Sequence, residues 1–341
     1  MHTITVDKNQ AGQRFDKFLN KYLPNAGNGF IHKMLRKKNI TLTGAKAAGN
    51  EILIKGDVIA VYFSDETFNK FKASNTKFPD TEIYLSAFKT LKNIEILYED
   101  EDILVLNKPS GVLTQKAKSS DLSLNEWLIG YLLYEKKITN EELSTFHPSV
   151  CNRLDRNTGG IVMCGKSLAG SQFLSAIIKD RNLHKFYRTI CVGVLPKDLL
   201  MEGYISKDTS SNKVTISAEP SDKGDGYIKT KIHPIHHNGE YSYLEVELFT
   251  GKTHQIRAHL SSIAHPIIGD CKYGNAEIND FVQSKFGLKN QLLHACRVVF
   301  PDEMPDKFEG KFDYLCKMEI TAPLPEKFRN ILDMLWTEEY K

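Results

Sequence analysis

The first 65 residues combine one helical period with short alternating segments. Four apolar residues recur at the i, i+3, i+4, i+7 spacing of a single helix face: Phe15, Phe18, Leu19 and Tyr22. A second short helix is predicted in FIHKMLRKKNI. The segment NITLTG alternates apolar and polar residues as a strand does, and EILIKGDVIAVYF contains two strand-like runs separated by a Gly-Asp hairpin signal at 56–57. The prediction is two helices followed by a small sheet.

Beyond residue 94, strand-like runs alternate with helical ones. IEILYED and ILVLNKPSG predict strands, the second ending in a Pro-Ser-Gly turn, and Ser123 with Glu126 fits a capping box that begins a helix. A helix is predicted in SLAGSQFLSAIIKD, between strands in IVMCGKS and HKFYRTICVGVL. YLEVELFTG alternates apolar and acidic residues, which predicts a strand with one buried face. Many antiparallel-type strands with intervening helices predict an α+β fold.

The segment between these two regions is polar and only weakly periodic. We predict a linker over residues 66–93, with a helical or packed segment near YLSAFKTL. The predicted organisation is therefore a small N-terminal domain at 1–65, this linker, and a larger domain at 94–341.

Composition excludes several classes of protein. With 41% hydrophobic and 26% charged residues over 341 positions, the chain is globular rather than disordered or fibrous. The N-terminus lacks a signal pattern and no apolar run reaches membrane-spanning length, so the expected location is the cytoplasm without a membrane partner. The six cysteines form no C-x-x-C pair, which favours reduced thiols over a zinc ribbon or a redox motif.

Charge is distributed unevenly along the chain. Residues 1–72 carry 12 Lys and Arg against 6 Asp and Glu, a net charge of +6, whereas residues 73–341 have a net charge of −3. Lys33, Arg36 and Lys37 share the outer face of the second predicted helix. Such cations are equally consistent with a solvated surface and with contact to nucleic-acid phosphates.

The segment NRLDRNTGG places Asp155 between Arg153 and Arg156, followed by two glycines. By residue type alone, a surface ion pair and a turn are favoured. However, the following strand and the permissive glycines allow a loop at a sheet end, where functional sites concentrate. A nearby guanidinium favours an ionised carboxylate that can act as nucleophile or base. The lack of an obvious second carboxylate argues against a glycosidase.

Two other kinds of site are disfavoured. His254, His259 and His265 do not follow the H-E-x-x-H spacing and have no acidic partner at ligand spacing, so no metal site is predicted. Cys151 lies near Asp155 and could be a nucleophile, but a lone cysteine more often packs as a small hydrophobic residue.

Residues 10–63 resemble the small RNA-binding domain named after ribosomal small-subunit protein four, a helix pair with a glycine-aspartate hairpin. The likeness lies in RFDKFLNKYLP and in FIHKMLRKKNITLTGAKAAGNEILIKGDVIAV, whereas the loop NAGNG lacks the serine and basic residue often found there. The resemblance implies that structured RNA is bound by six basic residues: Arg14, Lys17, Lys33, Arg36, Lys37 and Lys38.

NRLDRNTGG also resembles the signature of the RluA-type pseudouridine synthases, His-Arg-Leu-Asp-x-x-Thr-Ser-Gly in its common form, with Asn152 and Gly159 as departures. Five further segments match the family in order over residues 94–328: VLNKPSGVLTQ, KFYRTICVGV, TGKTHQIRAHLSSIAHPIIGDCKYG, LLHACRVVF and ITAPLP. The resemblance implies a catalytic domain built on a mixed, mainly antiparallel sheet.

The reaction of this family breaks the N–C glycosidic bond of a uridine, turns the uracil and joins its C5 to the sugar, without cofactor or metal. The resemblance implies that Asp155 is the catalytic nucleophile or base, acting on the sugar carbon, the ring or a sugar proton. Tyr187 would stack on the uracil and help take the C5 proton, and Ile256 would line the pocket. Arg257 would pair with Asp155, and Arg153 would assist base flipping.

The implied partner is structured RNA, with large-subunit ribosomal RNA or a pre-ribosomal particle as the first choice, and the chain is expected to be a monomer. Two alternatives are a transfer RNA pseudouridine synthase and a non-catalytic RNA-binding or ribosome-assembly factor on the same scaffold. The intact Asp155, Tyr187 and Arg257 argue against the second alternative.

Overall fold

The computed structural model contains two sheets, one near the N-terminus and one spanning the rest of the chain. It describes residues 1–72, 81–143, 145–208, 213–220, 225–308 and 310–336. Within these residues the small sheet has four strands and the large one eleven, and pairing is mainly antiparallel. The predicted α+β class is confirmed. None of the described helices is both long and apolar enough to cross a membrane.

The small N-terminal unit packs two helices on its sheet, in the strand order β1-β4-β2-β3. The predicted first helix is confirmed, and Phe15, Phe18 and Leu19 are fully buried on its inner face. The elements are β1 (His2–Thr5), α1 (Phe15–Tyr22), α2 (Asn28–Arg36), β2 (Ile40–Leu42), β3 (Ala45–Lys46), β4 (Val58–Val61) and α3 (Asp65–Phe71).

One predicted hairpin is wrong. Residues 51–54 form no strand beside β4; instead the Leu53 N–H donates to the Gln13 carbonyl at 2.9 Å. The Gly56 N–H donates to the Val6 carbonyl at 2.9 Å, so the turn joins the end of β1. Strand β4 pairs with β1 and β2, because these longer-range partners satisfy its backbone in place of the adjacent segment.

The large sheet has the strand order β11-β10-β12-β13-β9-β14-β8-β6-β5, with β15 beside β14 and β7 beside β8. Strands β14 and β8 run parallel. The elements are α4 (Thr81–Thr90), β5 (Glu95–Glu99), β6 (Ile103–Lys108), α5 (Leu124–Tyr134), α6 (Asn140–Leu143), β7 (Ser149–Val150), β8 (Gly159–Gly165), α7 (Leu168–Lys179), β9 (His184–Val192), β10 (Leu199–Asp208), β11 (Lys213–Ser217), β12 (Gly226–His237), β13 (Tyr241–Leu248), α8 (Gln255–Ser262), α9 (Ala276–Phe286), β14 (Leu293–Val299), β15 (Glu319–Thr321) and α10 (Glu326–Leu335), with 3-10 turns at Asp306–Phe308 and Asp313–Leu315.

Both faces of the central strands are buried. On β6, Leu104 and Leu106 belong to the core that includes α5, whereas Ile103 and Val105 belong to the core that includes Phe173 of α7. Side chains alternate between the faces of a strand, so β6 reads as a continuous apolar run with cores on both sides. The central strands are therefore packed on both faces, and the loops at their ends are where a functional site can form.

The capping box prediction is half right. Helix α5 begins directly after Ser123, as expected. However, the Ser123 hydroxyl donates to the Glu126 carboxylate at 2.6 Å and makes no capping bond to the backbone. The two side chains of the predicted box therefore bond to each other, and the serine does not cap the helix backbone.

The predicted linker contains two packed helices. Helix α3 adds Phe68 to the core of the small unit, whereas Tyr84 and Phe88 of α4 pack against the large unit. The helical segment expected near YLSAFKTL is confirmed as α4. Residues 73–80 of the predicted linker lie outside the described residues.

Candidate active site

Five residues singled out from the signature segments line one open cleft of about 850 Å³. Three elements supply them: the loop between β7 and β8, strand β9 and helix α8. The residues are Arg153, Asp155, Tyr187, Ile256 and Arg257.

Hydrogen bonds hold the Asp155 loop at the sheet end. The Thr114 hydroxyl donates to the Leu154 carbonyl at 2.9 Å and accepts the Leu154 N–H at 3.2 Å. The Thr158 N–H closes a tight turn on the Asp155 carbonyl at 3.0 Å. The backbone on both sides of Asp155 is therefore held in place.

The glycine after this loop is required by close packing of two strands. Gly160 has a φ of 109°, and a Cβ built there would lie 2.1 Å from the Ala295 carbonyl oxygen of β14. No side chain fits at that distance, so Gly160 allows β14 to run directly beside β8. This contact brings the Asp155 loop up to the central strands.

The two departures from the common signature have local contacts. The Asn152 side chain accepts the Met163 N–H at 2.7 Å and donates to the Ile161 carbonyl at 3.2 Å, which ties the loop to β8. A Cβ on Gly159 would lie 3.0 Å from Nδ1 of His294, which is buried. Asn152 therefore stiffens the loop, and Gly159 leaves room for an imidazole.

Arg257 joins two carboxylates. Its Nη1 donates to Oδ2 of Asp155 at 2.9 Å, while its Nε and Nη2 donate to Asp270 at 2.7 and 2.8 Å. Arg257 and Asp270 are buried, and the Asp155 side chain is 25% exposed to the cleft. Burial alone would raise the pKa of Asp270, but hydrogen bonds and charge from Arg257 bring it below its usual value. The arginine is thus fixed by one carboxylate and presented to the other.

Asp270 was not singled out from the sequence. It lies 13 residues beyond Arg257, in the quoted segment HPIIGDCKYG. An aspartate just after an apolar run and a glycine was a weak signal, since turns commonly contain both residue types.

Tyr187 is a buried wall of the cleft. Burial raises the pKa of its phenol, and the negative charge of Asp155 raises it further. The hydroxyl therefore stays protonated at neutral pH. A protonated phenol is better suited to contact with a nucleobase than to accepting a proton from it.

Lys108 is a second residue that sequence reasoning missed, although it lies in the quoted segment VLNKPSGVLTQ. It is fully buried, and its Nζ donates to the carbonyls of Pro109, Val112 and Arg156 at 2.8–3.1 Å. Burial lowers the pKa of Lys108 to about 7, against the opposing charge of Asp155. The side chain ties the turn after β6 to the site loop.

Positive charge dominates the cleft. Asp155 is the one carboxylate among the described residues that line it. Seven cationic side chains also line it: Arg153, Arg156, Arg257, Lys116, Lys185, Lys252 and Lys272. Such a cleft attracts a polyanionic substrate to a lining that holds a single carboxylate among the described residues.

The histidines considered as metal ligands have separate partners. Nδ1 of His259 lies 2.9 Å from the Thr230 hydroxyl, and Nδ1 of His265 lies 2.8 Å from a backbone carbonyl. Among the described residues, no group of three or more His, Cys, Asp or Glu could hold a metal ion. Burial raises the pKa of Cys151 to about 11, which keeps it a thiol at neutral pH.

The six basic residues expected to bind RNA are all exposed: Arg14, Lys17, Lys33, Arg36, Lys37 and Lys38. Arg14 is engaged by Asp16, with two hydrogen bonds of 2.7 and 3.1 Å. Lys33 and Arg36 lie on the outer face of α2, and Lys37 and Lys38 follow its end.

Comparison with known proteins names the family to which this fold and cleft belong. The family model described as RNA pseudouridylate synthase matches residues 102–262. An uncharacterised RNA pseudouridine synthase of Mycoplasma genitalium is 30% identical over 310 residues, covering 89% of this chain and 90% of that protein. The chain therefore belongs to the RluA-type RNA pseudouridine synthases.

One further relative and one solved structure are also similar to this chain. The ribosomal large subunit pseudouridine synthase C of Rickettsia bellii is 27% identical over 331 residues, which cover 96% of this chain and 99% of that protein. The structure of human RNA pseudouridylate synthase domain containing 4 has the same fold, with a TM-score of 0.56 and 20% identity over 75% of this chain and 97% of that one.

Proposed function

We propose that this pseudouridine synthase modifies uridines in large-subunit ribosomal RNA, with Asp155 as the catalytic residue and the target uridine flipped into the cleft. The observation that carries the proposal is the placement of Asp155. It is the single carboxylate among the described residues of a cation-lined cleft, and buried Arg257 donates to it at 2.9 Å.

The chemistry fits one carboxylate. The bond from the sugar to N1 breaks, a bond from the sugar to C5 forms, and the hydrogen lost from C5 is balanced by one gained at N1. Asp155 serves as the nucleophile or base. Tyr187 and Ile256, both buried in the cleft wall, are proposed to contact the uracil.

A uridine inside a helix cannot reach Asp155, so the target must leave the stack. The cleft volume of about 850 Å³ is within the range that holds a nucleotide-sized ligand. Arg153 is exposed at the cleft beside Asp155. We propose that Arg153 fills the space that the flipped uridine leaves in the RNA stack.

The choice of RNA rests on the relatives and on charge. Proteins of Rickettsia bellii and Vibrio cholerae that align with 96% and 94% of this chain are named ribosomal large subunit pseudouridine synthase C. The small unit, with its exposed basic residues, is proposed to be an RNA-binding domain like that of ribosomal small-subunit protein four. Its net positive charge supports docking on structured RNA.

The test is pseudouridine mapping of total RNA from cells with and without the gene, complemented by wild type, Asp155→Asn or Asp198→Asn. Asp198 is a matched control because it is a half-exposed partner of His233. We expect sites in large-subunit ribosomal RNA to be lost and then restored by wild type and Asp198→Asn alone. Sites in transfer RNA would overturn the substrate assignment. Unchanged maps would favour a binding or assembly role.

A further inference from the structure

His254 is held in an unusual conformation beside the site. It directly precedes α8, and its backbone has a φ of 55°, a left-handed conformation that residues other than glycine rarely adopt. Its side chain is 9% exposed, and its Nε2 lies 3.8 Å from Oδ2 of Asp155. This distance is longer than a hydrogen bond, so the contact is electrostatic.

A chain of hydrogen bonds favours one tautomer of this imidazole. The Val214 N–H of β11 donates to Oη of Tyr273 at 2.8 Å, and Oη lies 3.0 Å from Nδ1 of His254. A backbone N–H can only donate, so the tyrosine hydrogen is available for Nδ1. A neutral ring that accepts at Nδ1 carries its own hydrogen on Nε2, which faces Asp155.

Two side chains approach the same oxygen of Asp155. Arg257 Nη1 and His254 Nε2 approach Oδ2, at 2.9 and 3.8 Å. Within the part of the chain that the structure describes, Oδ1 accepts no hydrogen bond. Oδ2 is thus held by these two side chains, and the Asp155 side chain as a whole remains 25% exposed.

We propose that His254 and Tyr273 are positioning residues that select Oδ1 of Asp155 as the reacting oxygen. Tyr273 holds the His254 tautomer, and the Nε2–H restrains Oδ2 together with Arg257. This inference rests on the proposed role of Asp155 and adds residues that do not themselves touch the reacting atoms.

Tyr273 also contacts the residues that hold Arg257. Its backbone N–H donates to Oδ1 of Asp270 at 3.1 Å, and its ring lies 5.2 Å from the Arg257 guanidinium. Arg257 alone gives Asp155 one hydrogen bond, about which a carboxylate can still rotate. A second polar hydrogen near the same oxygen limits that rotation.

The arrangement predicts a distinctive pH dependence. In Tyr273→Phe the neutral imidazole can move its hydrogen to Nδ1, leaving a lone pair towards Asp155. Protonation puts a hydrogen on Nε2 whichever tautomer was present, so the defect should shrink at low pH. Burial lowers the pKa of His254 against the opposing charge of Asp155. The other groups that act on it are Arg257, Lys272, Asp270 and Tyr273.

The experiment measures single-turnover tritium release from RNA labelled at C5 of uridine, using a transcript of the segment that mapping identifies. Wild type, Tyr273→Phe, His254→Ala and His254→Gln are compared between about pH 5.5 and 8.5. Two controls are Tyr134→Phe and His233→Gln, whose side chains are mainly exposed and outside the cleft. RNA affinity and thermal unfolding of each variant are measured in parallel.

At the alkaline end Tyr273→Phe and His254→Ala should each be slower by about 10-fold, the cost of one polar contact, with unchanged RNA affinity. The Tyr273→Phe defect should fall towards low pH, and His254→Gln, which retains a donor, should be faster than His254→Ala. If Asp155→Asn is inactive but Tyr273→Phe has a wild-type rate, or a defect that does not depend on pH, this inference is overturned and the proposed function stands. An active Asp155→Asn would instead overturn the proposed function.

Discussion

At the scale of residues, the groups around the Asp155 side chain come from distant parts of the chain. Arg257 is 102 positions from Asp155, and Thr114, which holds the adjacent backbone at Leu154, is 40 positions from Leu154. The signature segment identified Asp155 as a candidate, but nothing near it in sequence predicted how Arg257 would be oriented. Asp270 supplies that orientation through two hydrogen bonds.

Replacing Asp270 by asparagine should weaken both stability and turnover. The variant removes the buried negative charge that compensates Arg257, so we expect the free energy of unfolding to fall by about 3 kcal/mol. The rate of pseudouridine formation should fall by about 10- to 100-fold, because Nη1 loses its fixed direction. Urea unfolding and single-turnover assays measure the two effects. Asp198→Asn is the surface control, with a change within about 0.5 kcal/mol.

At the scale of elements, the period of the sequence predicted helices and strands well where one face is buried. Helix α1 and strand β13 are examples, with Leu244 and Val246 fully buried as the alternation predicted. The segment at 51–54 is strand-like in sequence too, but β4 pairs with β1 and β2 instead. Because α3 packs with the small unit and α4 with the large one, we propose domains of 1–72 and 81–341.

Helix α4 depends on close contact with α5. A Cβ on Gly130 of α5 would lie 2.0 Å from the Tyr84 carbonyl oxygen, so Gly130→Ala must push the helices apart. We expect a loss of about 1–3 kcal/mol in the free energy of unfolding. Gly29→Ala in α2 is the matched control, since nothing lies within 4 Å of its Cβ position. That variant should be neutral or stabilised by up to about 1 kcal/mol. Equal stability of the two variants would contradict the close-packing argument.

At the scale of the whole molecule, the small unit touches the large one through polar contacts. Lys8 bonds Glu101 at 2.7 Å, and Lys21 donates to the Thr145 carbonyl at 3.3 Å. Neither contact uses the basic residues on and after α2. These residues therefore remain available for RNA while the two units are in contact.

Removing charge from α2 should weaken RNA binding without changing the chemical step. In the triple variant Lys33→Gln, Arg36→Gln and Lys37→Gln, we expect the magnitude of the slope of log affinity against log salt to fall by about 2–3. Fewer phosphate contacts form, so fewer counterions are released on binding. The single-turnover rate at saturating RNA should stay near wild type. The control removes three exposed lysines elsewhere: Lys89, Lys92 and Lys307. An unchanged salt slope in the α2 variant would contradict an RNA-binding role for this face.

The sequence by itself determined the α+β class, most elements with a clear period, the family and the candidates lining the cleft. These follow from local periodicity and from short motifs, both of which are encoded by neighbouring residues. Only the tertiary structure decided that β4 pairs with β1 and β2 rather than forming a hairpin at 56–57. It also decided that Asp270 orients Arg257 and that His254 lies near one oxygen of Asp155. Those features depend on contacts between residues brought together by strand order, and no local pattern encodes such distances.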